Sequence, residues 1–182
     1  PPITNHLVLQ NGPLPSVCKA TNVIMLRASP GEYEPASFVV DAALPLKAVD
    51  IKVGQLTGNG TIWPKEAVDV RVVKELYRRR YGGAGLIPTL LVHDDNVLAM
   101  KPAPTDEEPD WMNIVARKRD AGSLQPLDIP KRRQFWLTVQ VPENAAPGTY
   151  RTTVRVIPAH SPALILQLEV EVYPFKLTKP IL

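Results

Sequence analysis

The chain has a single cysteine, Cys18, in 182 residues, so it can form no intrachain disulfide and encodes no zinc site built from cysteine pairs. No apolar run approaches the ~18 residues that a membrane-spanning helix needs. No HxH or HExxH pattern joins any two of the histidines, His6, His93 and His160, which leaves metal and Ser-His-Asp catalysis without support. The sequence therefore predicts no membrane span, no bound metal and no cofactor.

Excess charge is also small, because 21 Lys and Arg residues face 18 Asp and Glu residues, for a net charge of +3. This value does not predict a polyanion partner, and we expect no nucleic acid to bind. Short basic runs lie at 78–80, 117–119 and 131–133. We interpret them as solvated loop charges, and retain Arg78, Arg79 and Arg80 as candidate partner contacts.

Proline, in contrast, is abundant. It accounts for 20 of the 182 residues, roughly double the usual share of about 5%. Because proline lacks an N–H donor and breaks helix interiors, this content favours short strands separated by turns. Hydrophobic residues make up 45% of the chain, enough for a buried core at this length. Composition therefore predicts a globular all-β protein.

The clearest pattern lies at 131–156, where apolar residues alternate with polar ones on both sides of the loop at 143–148. We predict a β-hairpin here, with Phe135, Leu137 and Val139 on one buried face. Further strands are predicted by the same alternation at 23–28, 33–42, 46–56, 67–77 (with a bulge near Val73) and 164–173.

These strands predict an antiparallel β-sandwich of the immunoglobulin or jelly-roll type. We place the sandwich at 23–175, after an N-terminal arm at 1–22 that adds an edge strand and before a tail or linker at 176–182. The alternation fails over 78–133, so we predict a long irregular insertion there. Within it, a strand interrupted by Pro88 is expected at 86–93, and a helix capped by Asp110 is expected to carry Trp111, Ile114 and Val115.

Four segments, 27–40, 86–98, 134–150 and 172–177, together resemble the N-terminal β-sandwich domain that precedes the catalytic barrel in proteins similar to glycoside hydrolase family 123. The resemblance implies a non-catalytic accessory module, since the hydrolytic carboxylates of such proteins lie in a barrel that this chain lacks. We therefore expect no enzymatic activity. The expected partners are an adjacent catalytic domain or further copies of the chain, with weak contact to carbohydrate, in an extracellular or periplasmic location.

Two acidic pairs were weighed as catalytic carboxylates, Glu32 with Glu34 and Asp94 with Asp95. The first pair follows a turn, where carboxylates usually accept hydrogen bonds from nearby backbone, and the second lacks the spaced oxygens and glycine of a calcium loop. We predict a structural role for both pairs, and thus no catalytic residue.

The tryptophans are the remaining candidates for ligand or partner contact. Trp136 lies on the face opposite Phe135, so its indole must be covered by the 78–133 segment, by a partner domain or by a stacked sugar ring. We expect the first, with Leu90, Leu91 or Ile114 forming part of a third layer. Trp63 and Trp111 lie near turns, where we expect either a core position or a ligand contact.

A different class of function is also compatible with the sequence. A sandwich with long termini and a charged insertion suits a stand-alone surface protein that associates with itself, for example on a virion or a cell-surface layer.

Overall fold

A computed structural model describes residues 7–80, 83–100 and 114–177, with the backbone alone for 77–80 and 83–84. This part of the chain contains one 3₁₀ turn, Lys65–Ala67, and is otherwise built from strands and their connections. The strands are β1 (Val23–Ala28), β2 (Tyr33–Asp41), β3 (Leu46–Val53), β4 (Thr57–Gly58), β5 (Thr61–Ile62), β6 (Val68–Arg80), β7 (Gly83–Val92), β8 (Leu98–Met100), β9 (Ile114–Ala116), β10 (Leu127–Ile129), β11 (Arg132–Gln140), β12 (Gly148–Ile157) and β13 (Leu164–Val172).

The strands form two main sheets and a small ribbon. One sheet has the order β1-β13-β12-β3-β10, with β4 and β5 beside β12, the second has the order β2-β11-β6-β7, and β8 pairs with β9. The predicted all-β sandwich is confirmed. Pairing in the described ladders is antiparallel with one exception, since β1 runs parallel to β13.

The hairpin predicted at 131–156 is wrong in its pairing. β11 pairs with β2 and β6 in the four-stranded sheet, whereas β12 pairs with β13 and β3 in the other sheet. The loop between them crosses the sandwich. It is anchored by two backbone hydrogen bonds, from the Val141 N–H to the Glu32 carbonyl and from the Gly31 N–H to the Val141 carbonyl.

The predicted burial is nevertheless confirmed, because the inner faces of both strands meet in the core. Phe135, Leu137 and Val139 of β11 are fully buried, as are Tyr150 and Val154 of β12. Burial of each such side chain contributes roughly 1.5–3 kcal/mol, and this term is the main force that holds the two sheets together.

Much of the 78–133 segment belongs to the sheets. β6 continues to Arg80 and pairs along its length with β7, which confirms the strand expected around Pro88. Proline is tolerated there because β7 is an edge strand. The register shifts by one residue at Lys74 and Glu75, opposite Thr89, close to the bulge expected at Val73.

The predicted helix is wrong at Ile114, which starts strand β9, while Asp110 and Trp111 lie outside the described residues.

The described residues of this segment do not form the third layer that was expected, with Leu90 and Leu91 in it. β7 extends the four-stranded sheet in its own plane, and Leu90 and Leu91 keep more than a third of their surface exposed. Val92, Val97 and Leu127 instead join the core between the sheets. The described part of the segment therefore completes the sandwich instead of covering it, and it adds apolar side chains to the buried core.

Part of the outer face of the four-stranded sheet is covered by the N-terminal arm. The Gln10 N–H donates to Glu75 Oε1 at 2.9 Å, and Arg132 Nη1 donates to the Gly12 carbonyl at 2.5 Å. Arg132 is fixed in turn by two hydrogen bonds to Asp41, at 3.1 and 2.9 Å. No strand forms in the described part of the arm before Val23, so the edge strand expected there is wrong, and side-chain hydrogen bonds to its backbone hold the arm instead.

Replacing Glu75 with glutamine is expected to raise the free energy of unfolding near pH 7, because it removes a buried negative charge. Burial raises the pKa of Glu75, and its Oε2 atom is buried without a hydrogen-bond partner. A raised pKa in the folded state means that the protonated form stabilises the fold, fully at low pH and less as pH rises through the folded-state value. Glutamine keeps the acceptor for Gln10 without the charge.

Urea unfolding of both proteins between about pH 4 and pH 8 tests this expectation. The variant should lose less stability as pH rises than the wild type does. Glu171→Gln is the matched control, since its exposed ion pair with Arg27 is of the kind that contributes about 0–1 kcal/mol. Equal pH dependence in the wild type and Glu75→Gln would contradict the prediction.

Candidate ligand groove on the four-stranded sheet

The predicted contact residues are dispersed in the structure. Trp63 is 2% exposed and packs against Tyr150, with ring centroids 4.5 Å apart, so the core interpretation holds for it and a ligand cannot reach it. Trp136 is half-buried on the outer face of β11. Trp111 lies outside the described residues. Arg78, Arg79 and Arg80 end β6 opposite Gly83–Gly85, and their side chains are not described.

One basic run does not consist of solvated charges, contrary to expectation. Arg132 and Arg133 are 5% and 8% exposed. Arg132 pairs with Asp41, and Arg133 donates to Asp95 Oδ2 at 2.6 Å. Because neighbouring strand residues point to opposite faces, the two arginines are buried on opposite sides of the sheet, and each pairs with a carboxylate that lies far away in sequence.

Carboxylates from both acidic pairs make local contacts. Glu32 Oε2 accepts a hydrogen bond from the Ser29 N–H at 2.5 Å, within the turn that precedes β2. Asp94 Oδ1 accepts from the Asn96 N–H at 2.8 Å, and Asp94 also pairs with Lys118 at 2.5 Å. These carboxylates are used in ordering loops.

A groove with a volume of about 380 Å³ lies on the outer face of the four-stranded sheet. Its lining residues come from all four strands and from the turn before β6, and they are Tyr33, Glu66, Asp69, Arg71, Leu91, Thr138 and Gln140. Register explains why they meet. Gln140 is opposite Tyr33 on β2, and Thr138 is opposite Asp69 on β6, so their side chains project from the same face.

Asp69 is the electrostatic centre of the groove. Its Oδ2 atom accepts a hydrogen bond from Arg71 Nε at 2.7 Å, and its Oδ1 atom lies 2.6 Å from His93 Nε2. Desolvation by burial works to raise the pKa of this carboxyl, but the hydrogen bonds from Arg71 and His93 outweigh it and the pKa is lowered. Asp69 therefore stays ionised and fixes the position of Arg71, and it is not available as a general acid.

His93 is the second hydrogen-bond partner of Asp69. Its Nδ1 atom lies 2.8 Å from the Ala121 carbonyl oxygen, and its backbone N–H donates to Asp120 at 3.0 Å. Both ring nitrogens thus face oxygen atoms, of Asp69 on one side and of a backbone carbonyl on the other. The ring holds the loop at 120–125 against the sheet.

A second, larger groove of about 890 Å³ continues from the first towards the gap between the two sheets. The two share Glu66, Asp69 and Arg71, and the second is bounded on its far side by residues 50–53 of β3 and by residues 122–124. Trp136 lines neither groove.

The described residues include no group of three or more His, Cys, Asp and Glu side chains placed to hold a metal ion. Nor does any described helix have the length and apolar content to cross a membrane.

The residues that line the groove are not among the contact residues predicted from sequence. Their parity carried a signal, because Asp69 and Arg71 alternate with the buried Val70 and Val72, and Thr138 alternates with the buried Leu137 and Val139. Alternation alone assigns these residues to the outer face. It does not bring β2, β6, β7 and β11 side by side, and that arrangement creates the groove.

No family profile matches the chain, and no curated protein matches it in sequence. Among solved structures, the chain is similar to a family 123 glycoside hydrolase from Clostridium perfringens, whose structure addresses glycolipid glycan hydrolysis. The two share 15% sequence identity and a TM-score of 0.57, and the match covers 86% of this chain but 24% of that one. A weaker similarity, with a TM-score of 0.35 and 11% identity, is to the ASH/PapD-like domain 7 of human CEP192, covering 97% of this chain and 100% of that domain.

The likeness to the hydrolase is distant and establishes a common β fold. This chain spans about a quarter of that protein's length. The two sheets and the ribbon described above contain no catalytic barrel.

Proposed function

We propose that this chain is a non-catalytic accessory module that packs beside a glycoside hydrolase-type catalytic domain in the extracellular space or the periplasm. The observation that carries the proposal is the asymmetry of the structural match, which takes in 86% of this chain and 24% of a family 123 glycoside hydrolase. A module that occupies a minor part of a hydrolase fits a supporting role. The four sequence segments that resemble the sandwich preceding a catalytic barrel support the same role.

The chemistry of the described residues agrees with a supporting role. Retaining and inverting glycosidases need two carboxyl groups free to act on one bond. In the outer-face groove, Asp69 is bound on both oxygens by Arg71 and His93, which leaves Glu66 as the other carboxylate among the described lining residues. A single carboxylate beside a fixed ion pair can orient a ligand but does not form an acid and nucleophile pair.

The proposal predicts that the native polypeptide that contains this sequence is heavier than 20.1 kDa and hydrolyses glycosides, while the 182-residue chain alone does not. An antibody raised against residues 23–175 would capture the native polypeptide for mass determination and for assay with aryl glycosides. The recombinant chain is assayed in parallel.

Two outcomes would contradict the proposal. A native polypeptide of the mass of this chain, recovered as a self-associated assembly, would favour the stand-alone surface protein instead. Hydrolysis by the recombinant chain that is abolished in Glu66→Gln would make the chain an enzyme.

A further inference from the structure

We propose that the outer-face groove is a binding site for an uncharged carbohydrate, a short stretch of neutral sugar rings lying across the four strands. This inference deepens the proposed function, on which it rests for the source of the ligand, a glycan handled by the neighbouring catalytic domain. The groove spans from Tyr33 on β2 to Leu91 on β7. At about 4.8 Å between neighbouring strands, that distance is about 15 Å.

The polar side chains of the groove include both donors and acceptors, and several of them are free to form further hydrogen bonds. Among the described contacts, the Thr138 hydroxyl and the Gln140 amide have no hydrogen-bond partner, and Arg71 uses its Nε atom alone. The amide and the hydroxyl both donate and accept, the guanidinium donates, and Glu66 accepts. A sugar hydroxyl also donates and accepts at once, so adjacent hydroxyls can satisfy such an array in a way that a ligand with acceptors alone cannot.

Charge excludes an anionic ligand. Arg71 is the single cation among the described residues that line the groove, and it is already paired with Asp69, while Glu66 adds a negative charge. A phosphate or sulfate would therefore meet net repulsion without the cluster of cationic donors that such groups require. A simple cation is equally disfavoured, because the described residues hold no cluster of three or more metal-ligating side chains. A neutral polar ligand remains.

The two ends of the groove are apolar. The Tyr33 side chain on β2 is 63% exposed and Leu91 on β7 is 39% exposed. Sugar rings have C–H faces that pack on such surfaces, and an exposed aromatic ring combined with a few polar groups is a common way to fix ligand orientation. The volume of about 380 Å³ lies within the range of about 300–1,000 Å³ found for small-molecule sites. Tyr33, and not Trp136, is thus the aromatic contact of the site.

The test is a titration of the full ¹⁵N-labelled chain with the neutral disaccharides cellobiose, lactose and maltose, followed by amide chemical shifts. We expect saturable shifts at Tyr33, Arg71, Thr138 and Gln140 with at least one of them, and a dissociation constant in the millimolar range, which corresponds to about −4 kcal/mol. Glucuronate and glucose form a matched pair that differs by one carboxylate. We expect glucuronate to perturb these amides less than glucose does.

Tyr33→Ala and Gln140→Ala should each weaken the binding about tenfold, and both residues are exposed enough for the fold to be unaffected. Gln167→Ala is the matched control, since Gln167 lies on an exposed face of the other sheet. Three results would overturn the inference: no groove shifts with any neutral disaccharide up to tens of millimolar, shifts confined to the seven-stranded sheet, or tighter binding of glucuronate. If the native polypeptide hydrolyses glycosides but the titration fails, the groove assignment falls and the accessory role stands.

Discussion

Replacing Trp63 with alanine is expected to lower the free energy of unfolding by about 3–5 kcal/mol, the cost of deleting a large aromatic side chain from a packed core. Trp63 heads the fully buried side chains ranked by size, and it packs on Tyr150, another of them. It follows the short β4–β5 ribbon, whose β4 pairs with Arg151 of β12. Loss of the indole therefore leaves a cavity where β4 and β5 join the rest of their sheet. Urea unfolding followed by circular dichroism measures the change.

Two further variants make the prediction specific. Trp136→Ala should cost less, about 1–2 kcal/mol, because Trp136 is half-buried and its cost falls between that of a core aromatic and that of a surface residue. Trp63→Phe should also cost less than Trp63→Ala, since it keeps most of the ring volume and removes the indole Nε1 donor, which is buried without a partner. A larger loss for Trp136→Ala than for Trp63→Ala would contradict this ranking of the two indoles.

The alternation of apolar and polar residues predicts which face of a strand is buried, but it does not predict which strands are neighbours. Whether a strand residue faces the core depends on alternation, so Phe135, Leu137 and Val139 were assigned correctly from sequence. Which strand lies beside which depends on contacts far apart in the chain. β11 and β12 are separated by seven residues and both have one apolar face, so a hairpin in one sheet and two strands in facing sheets produce the same sequence pattern.

The same limit explains the charged residues. Glu75 and Arg132 lie on the outer face of the sheet, where alternation predicts exposure to solvent, yet both are buried. Their partners come from the N-terminal arm, at Gln10 and Gly12, about 65 and 120 positions away along the chain, a separation at which local rules predict no pairing. The groove depends on such distant pairing too, because the arm covers one part of the outer face and leaves the part around Thr138 open.

Replacing Asp95 with asparagine is expected to lower the free energy of unfolding by about 3–5 kcal/mol, because it removes the carboxylate that the buried Arg133 shares with Lys74, whose side chain is 12% exposed. Asp95 Oδ2 accepts from Arg133 Nη2 at 2.6 Å, and Oδ1 lies 3.3 Å from Lys74 Nζ. The three side chains are between 9% and 18% exposed. Lys74 also donates to the backbone carbonyl of Asp95, so the cluster fastens the loop after β7 to strands β6 and β11.

The matched control is Asp50→Asn, in which the carboxylate pairs at 3.2 Å with Lys52, whose side chain is 66% exposed. Exposed pairs of this kind contribute about 0–1 kcal/mol, so this variant should shift the urea midpoint little. Adding Lys74→Met to Asp95→Asn removes one of the two uncompensated cations and should recover part of the lost stability. Equal destabilisation by Asp95→Asn and Asp50→Asn would contradict the prediction. It would mean that the ion pairs of Asp95 with Arg133 and Lys74 stabilise the fold no more than an exposed pair does. If the double variant recovers stability, the loss in Asp95→Asn comes from unpaired buried charge, and the loop after β7 is held by that charge pairing.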